Sequence, residues 1–110
     1  MAKKYSKSGI YHDISKLYPE VITAVETLGT TVRGLGALDE KTSHLVQLAA
    51  AATGKSEGAV HSHTRRAVKA GATREEIYHT LLLLISTIGF PQVMAAISWC
   101  RDILEGEDEG

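Results

Sequence analysis

One stretch of sequence, residues 55–77, decides the fold, and it reads KSEGAVHSHTRRAVKAGATREEI. Gly71 is placed to end a first helix, because glycine readily adopts the left-handed conformation that follows many helix C-termini. Thr73 and Glu76 have the spacing of a capping box, in which each side chain bonds the backbone N–H of the other residue at a helix start. The stretch therefore predicts two consecutive helices joined by a glycine turn.

The first of these helices carries a histidine on its apolar face. On a wheel of 3.6 residues per turn, His63 shares that face with Ser56, Ala59, Val60, Ala67 and Ala70. His61 and Arg65 are predicted to project from the opposite side. The imidazole of His63 has two interpretations: a general acid or base held neutral by apolar surroundings, or a core histidine bonded to a backbone carbonyl.

The residues before this stretch predict further helices. Residues 1–18 are predicted to form an N-terminal arm, with a short turn or helix ahead of Pro19, which is well placed to begin a helix. Asp39 is a suitable N-cap for an alanine-rich helix over 40–53. Because that helix is apolar nearly all round in its second half, we expect it to be buried.

The residues after the stretch predict two long helices. The helix that Thr73 caps is predicted to run to residue 88, and Gly89-Phe90-Pro91 separates it from a last helix. Residues 105–110 form an acidic tail. Since no alternating strand pattern is present, we predict an all-α fold with one helical domain over 19–104.

Composition excludes several classes of protein. The net charge of −1 gives no electrostatic basis for binding nucleic acid or an acidic membrane surface. The single cysteine, Cys100, excludes an intramolecular disulfide, and the longest apolar run, 81–85, is too short to cross a bilayer. Since no early apolar run has the pattern of a signal peptide, we expect a cytoplasmic protein. Two helices apolar all round are more than 110 residues can cover, so an obligate homo-oligomer is predicted.

Three motifs together resemble the carboxymuconolactone decarboxylase family, which also contains the alkylhydroperoxidase D-like proteins. They are Leu38-Asp39-Glu40-Lys41-Thr42, the run from His63 to Ile77, and Gly89-Phe90-Pro91. The resemblance implies an alkylhydroperoxidase D-like helical bundle, assembled as a homotrimer or a homohexamer. It also implies that His63 matches the histidine of the family's site.

The sequence departs from the peroxidase branch of that family. That branch begins this helix with a Cys-x-x-Cys pair, and Ser56 and Ala59 stand at the two positions here. The branch's relay glutamate would fall at about His44. A serine hydroxyl is barely acidic and has no redox couple, so it cannot replace a thiolate in the reaction with peroxide. Peroxidase activity is therefore disfavoured, and Cys100 has no second thiol to resolve it.

The decarboxylase branch lacks the cysteine pair and uses acid–base groups near the same histidine. We therefore predict a cofactor-free acid–base enzyme for a small carboxylated metabolite, a lactone or an oxo acid, with His63 as the proton-transfer group. Glu57 and Ser56 are further candidate catalytic residues, although Ser56 also fits an ordinary N-cap, and Glu57 is expected to form a solvated or inter-subunit ion pair with His61. The alternatives are a non-catalytic oligomeric binding protein on the same scaffold and an antioxidant peroxidase.

Three further residues, His44, His61 and Arg65, are candidates for substrate binding, because arginine can bind a carboxylate through paired N–H groups. We expect His44 and His79 either to line an inter-subunit pocket or, in the favoured interpretation, to bond buried carbonyls. No metal ligand is predicted. His61 and His63 point about 200° apart on a helix, so a zinc site would need His44, His79 or another subunit.

Overall fold

The computed structural model describes residues 9–106, so residues 1–8 of the predicted arm and 107–110 of the predicted tail lie outside the described residues. Within the described range there are seven helices and no strands, which confirms the all-α prediction for this part of the chain. The helices are α1 (Ile10–Leu17), α2 (Pro19–Arg33), α3 (Glu40–Thr53), α4 (Glu57–Lys69), α5 (Arg74–Leu82), α6 (Ile85–Ile88) and α7 (Phe90–Leu104). None of them combines the length and the apolar character needed to span a membrane.

Capping residues start and end the central helices as the sequence predicts. The carboxylate of Asp39 accepts a hydrogen bond from the backbone N–H of Thr42 at 2.8 Å and caps α3. Both bonds of the capping box between Thr73 and Glu76 are present, at 2.9 and 3.0 Å. Gly71 follows the end of α4 with φ +102°, a conformation that favours glycine. Local sequence signals therefore fix where α3 and α5 begin and where α4 ends.

The core lies between α3, α4, α5 and α7, and α4 packs against both α3 and α7. The fully buried apolar side chains are Leu48, Ala52, Val60, Ala67, Ile77, Leu81, Val93, Ala96 and Cys100. Near the start of α7, the amide of Gln92 donates hydrogen bonds to the carbonyls of Ala52 and Thr53, at 3.0 and 2.9 Å. Since the last carbonyls of a helix lack intrahelical partners, these bonds satisfy the end of α3 and attach α7 to it.

The prediction of one continuous helix over 73–88 is wrong. α5 ends at Leu82, and α6, which is only four residues long, begins at Ile85. After the break, α6 packs against α7 and Ile88 packs on the core. Leu83 is left 64% exposed. Helical periodicity alone does not predict this break, because the apolar run at 81–85 continues through it.

A row of exposed apolar side chains runs along α2. No residue of α2 is buried by the described chain, and α2 packs mainly against α1. Val21, Val25, Leu28 and Val32 are 54%, 60%, 63% and 51% exposed, and their spacing of four, three and four residues places them on one face. We call these four residues the α2 seam. A row of this spacing is typical of a surface that another helix covers.

Candidate functional site

Two histidines from α3 and α4 lie side by side. The two helices are joined by a tight turn at 54–56, in which Lys55 has φ +58°, so α4 returns along α3. As a result the ring centroids of His44 and His63 are 6.0 Å apart, with the ring planes inclined by 37°. His44 is buried and His63 is half-buried. Residue 44, where the resemblance places a relay glutamate, therefore lies beside His63, and in this chain it is a histidine.

Burial and neighbouring charges keep both imidazoles neutral. The pKa of His63 is lowered from 6.5 to about 4, first by burial and then by electrostatic interaction with Arg66, with the neighbouring imidazole of His44 and with Arg33. The pKa of His44 is lowered by burial, Arg33 and Arg66, and the carboxylate of Glu40 partly opposes this. Within residues 9–106, neither Nδ1 atom has a hydrogen-bond partner although both are buried. The pair thus holds two neutral rings with buried polar atoms available for bonding.

Two arginines place positive charge around the histidine pair. Arg66 lies three residues after His63 on α4, and Arg33 is the last residue of α2; each lowers the pKa of both imidazoles. The positive potential that disfavours an imidazolium favours an anion in the same place. The arrangement is therefore suited to an anionic group, such as a carboxylate, next to a neutral proton acceptor.

Acidification is expected to destabilise the fold through His63. Its pKa is about 4 in the folded chain against an ordinary 6.5, so the unfolded chain binds more protons between these two values. The free energy of unfolding should therefore fall as the pH is lowered from 6.5 towards 4, by on the order of 1–2 kcal/mol after allowance for solvent screening of a half-buried ring. Urea denaturation of the wild type and of His63→Gln at neutral and acidic pH measures this effect. The substituted protein should lose less stability, and an equal loss in both would contradict the assignment.

A cavity of about 300 Å³ lies between the end of α2 and the first half of α3. It is lined by Val32, Arg33, Leu35, Gly36, Ala37, Leu38, Ser43, Val46 and Gln47. Arg33 connects the cavity with the histidine pair, because its guanidinium acts on both imidazoles. The Oε1 of Gln47 is buried without a hydrogen-bond partner among the described residues. A largely apolar cavity of this size with a few polar groups is typical of sites for small molecules.

The structure does not join Ser56 or Glu57 to His63. The hydroxyl of Ser56 accepts a hydrogen bond from the backbone N–H of Ala59 at 3.3 Å and forms the N-cap of α4. The Oε2 of Glu57 lies 4.0 Å from the Nε2 of His61. Within the described range no hydrogen bond runs from either side chain to His63, so their catalytic roles stay predictions.

His61 projects from the side of α4 opposite His63, as the sequence predicts, but this side packs against α7 and is not open to solvent. Its side chain is 2% exposed, and its Nε2 lies 2.9 Å from Oδ2 of Asp102 in α7. The reason is that α7 packs against this side of α4, where Asp102 meets His61 and Cys100 meets Thr64. The expected solvated pair with Glu57 is consequently a partly buried one.

Arg65 and His79, two further residues singled out in the sequence, differ from each other in burial. Arg65 is half-buried, and burial lowers the pKa of its guanidinium; its role in substrate binding stays a prediction. His79 is exposed, so the favoured interpretation that it bonds a buried carbonyl is wrong.

The sequence did not reveal Arg33 and Asp102 as site residues, because no spacing pattern connects either residue to the histidine that it approaches.

Cys100 is poorly placed for reaction with peroxide. Its side chain is fully buried, and burial raises the pKa of the thiol to about 11. The Sγ lies 3.1 Å from Oγ1 of Thr64. Since the thiolate is the reactive form of cysteine, this group is protonated and shielded at neutral pH. The geometry therefore gives the peroxidase alternative no support.

The fold is an all-α bundle with the histidine pair between α3 and α4. Residues 19–102 match the carboxymuconolactone decarboxylase family. The chain belongs to that family, which confirms the resemblance found in the sequence.

Individual relatives agree with this membership. An uncharacterised protein from Methanocaldococcus jannaschii is 36% identical over 84 residues, which cover 76% of this chain and 78% of that protein. The crystal structure of an apo carboxymuconolactone decarboxylase family protein from Legionella pneumophila superposes with a TM-score of 0.79 and 29% identity, over 94% of this chain and 97% of that one. A protein from Thermotoga maritima has a TM-score of 0.73 and 24% identity, over 99% and 100% of the two chains, and shows the shared fold alone.

Proposed function

We propose that this protein is a cytoplasmic, cofactor-free acid–base enzyme that acts on a small carboxylated metabolite, a lactone or an oxo acid, with His63 as the proton-transfer group. The observation that carries the proposal is the neutral pair of His44 and His63 between the positive charges of Arg33 and Arg66. The name of the family to which the chain belongs supports the reaction class. A chain with one cysteine suits a reducing compartment.

A bound carboxylate would adjust the protonation of His63. The negative charge of the substrate offsets the guanidinium charges that lower the pKa of this imidazole. The pKa then rises towards its ordinary value, and a proton carrier works best when its pKa is near the operating pH. His63 therefore takes up the proton that it transfers only when the substrate is bound.

The proposed reaction is a decarboxylation followed by protonation. The bond between carbon and the carboxyl group breaks, carbon dioxide leaves, and the electron pair stays on the substrate as an enolate. Arg33 and Arg66 stabilise the negative charge on the enolate oxygen. The imidazolium of His63 then donates its proton to carbon, and the ring regains a proton from solvent or through His44.

Carbon dioxide release from a panel of small lactone carboxylates and oxo acids tests the proposal. We expect at least one acid to be turned over. Its methyl ester should release no carbon dioxide, because it has no carboxylate to lose, and should also bind more weakly, because it has no charge for the arginines to hold. Acids that bind without turnover would instead favour the alternative, a non-catalytic oligomeric binding protein on the same scaffold. Calorimetric titration of the same compounds distinguishes the two outcomes.

We further propose that copies of this chain assemble through the α2 seam as a homotrimer or homohexamer. The exposed row of apolar side chains on α2 supports this, because a monomer would leave it in water. Val32 belongs both to the seam and to the lining of the cavity, so a second copy on the seam would also cover the cavity. Analytical ultracentrifugation at micromolar concentration tests the assembly, and a stable monomer would contradict it.

A further inference from the structure

A second cluster of polar side chains lies where α4 meets α7. It consists of Glu57 and His61 on α4 and Asp102 on α7. The Nε2 of His61 is 2.9 Å from Oδ2 of Asp102 and 4.0 Å from Oε2 of Glu57, and the three ligand atoms lie within 4.8 Å of one another. The side chain of His61 is 2% exposed, whereas those of Asp102 and Glu57 are 23% and 37% exposed. A buried nitrogen thus points towards two carboxylates that reach the surface.

The charges of this cluster favour a cation. Two carboxylates so close together repel one another unless a positive charge lies between them. A divalent ion would offset both negative charges and would also accept the lone pair of a neutral imidazole. A proton on His61 offsets only one of the two.

We propose that Glu57, His61 and Asp102 bind a divalent transition-metal ion such as zinc and thereby join α4 to α7. Zinc bonds of about 2.0–2.2 Å place the ligand atoms of a tetrahedral site about 3.3–3.6 Å apart. The separations in the cluster, from 2.9 Å to no more than 4.8 Å, bracket that distance. The partly exposed Glu57 can close the remaining gap by a change of rotamer. A nitrogen with two carboxylates suits zinc, cobalt or manganese better than the all-oxygen ions calcium and magnesium.

This site is separate from the histidine pair, because α4 presents His61 to α7 and His63 to α3. The proposal therefore does not depend on the acid–base activity. Two helices held by one ion near the N-terminus of α4 and the C-terminus of α7 would gain stability when the ion binds. The fourth ligand position would face the surface, on the side where both carboxylates are exposed, and could hold water.

Zinc titration of the tag-free full chain, after removal of metals with EDTA, tests the proposal by calorimetry and thermal unfolding. We expect one ion to bind per chain and Tm to rise with zinc concentration. Asp102→Asn and Glu57→Gln keep the side-chain size and should each weaken zinc binding by at least about tenfold. Glu75→Gln, an exposed residue on α5, is the matched control and should bind zinc as the wild type does.

Two outcomes would overturn the proposal. One is zinc binding that is unchanged in both carboxylate variants. The other is zinc binding that disappears in His63→Gln but persists in Asp102→Asn, because the ion would then occupy the histidine pair. Circular dichroism of the metal-free proteins checks folding. If Asp102→Asn unfolds because His61 loses a buried partner, Glu57→Gln alone decides, since Glu57 is partly exposed.

Discussion

Replacing His63 with glutamine is expected to lower kcat/KM for carbon dioxide release by about 10²–10⁴-fold, the usual loss when a general acid–base group is removed. Glutamine keeps a polar side chain of similar length but cannot carry a proton. The loss should appear mainly in kcat, because the positive charges of Arg33 and Arg66 that attract the carboxylate remain. Steady-state kinetics with the best acid of the substrate panel measures the change.

The controls for this substitution are the other histidines. His79→Gln alters an exposed ring on α5 and should leave the kinetics unchanged. His44→Gln removes the neighbouring ring at 6.0 Å, and we expect a smaller loss than for His63→Gln, because solvent can also return the proton. Full activity in His63→Gln, with the fold intact by circular dichroism, would show that another group transfers the proton.

Two charged substitutions on the α2 seam, Val25→Asp and Leu28→Asp together, are expected to dissociate the proposed oligomer into monomers. These side chains are 60% and 63% exposed in the described chain, so the change should not disturb the core of that chain. In an assembled interface each aspartate would lose its water without gaining a partner, which costs several kcal/mol per ion. Sedimentation velocity should show a shift of the whole sample to the mass of one chain.

A matched substitution distinguishes an effect on the interface from an effect of the added charge on the stability of α2. Thr23→Asp places the same charge on the opposite side of α2, about 190° from the seam on a helical wheel, and should leave the oligomer intact. If the seam also covers the cavity, the seam variant should bind the acid substrate more weakly, whereas Thr23→Asp should not. A seam variant with the mass of the wild-type oligomer would place the interface elsewhere.

Local interactions explain which parts of the fold could be predicted from the sequence. The caps at Asp39 and Thr73 and the stop at Gly71 each depend on residues within one helical turn, and the structure has all three. The contact between His63 and His44 was not predicted, because the family resemblance placed a relay glutamate at about residue 44 without giving its distance from His63. The break between α5 and α6 did not follow, since it depends on how α6 meets α7.

Contacts between distant residues explain the errors at the site. The helical wheel gives the direction of His61 correctly, but it does not show which sides of α4 another helix covers. Asp102 lies 41 residues further along the chain, and only the packing of α7 brings it to His61. Arg33 is the last residue of α2, and it lowers the pKa of one histidine on α3 and one on α4. No sequence pattern connects it to either helix. Burial of a side chain by a distant element is therefore the information that the sequence pattern lacked.

If copies of this chain assemble through the α2 seam as proposed, the fold of α1 and α2 depends on protein concentration, because these helices have no buried side chains of their own. Neither helix buries a residue in the described chain, and helices of this length are marginal in water without tertiary packing. Dilution would therefore act on residues 10–33 as a local denaturant, and their amides would lose protection from hydrogen exchange while those of α3, α4 and α7 keep it. The concentration of the protein would decide how much of each chain is folded, in addition to how many chains associate.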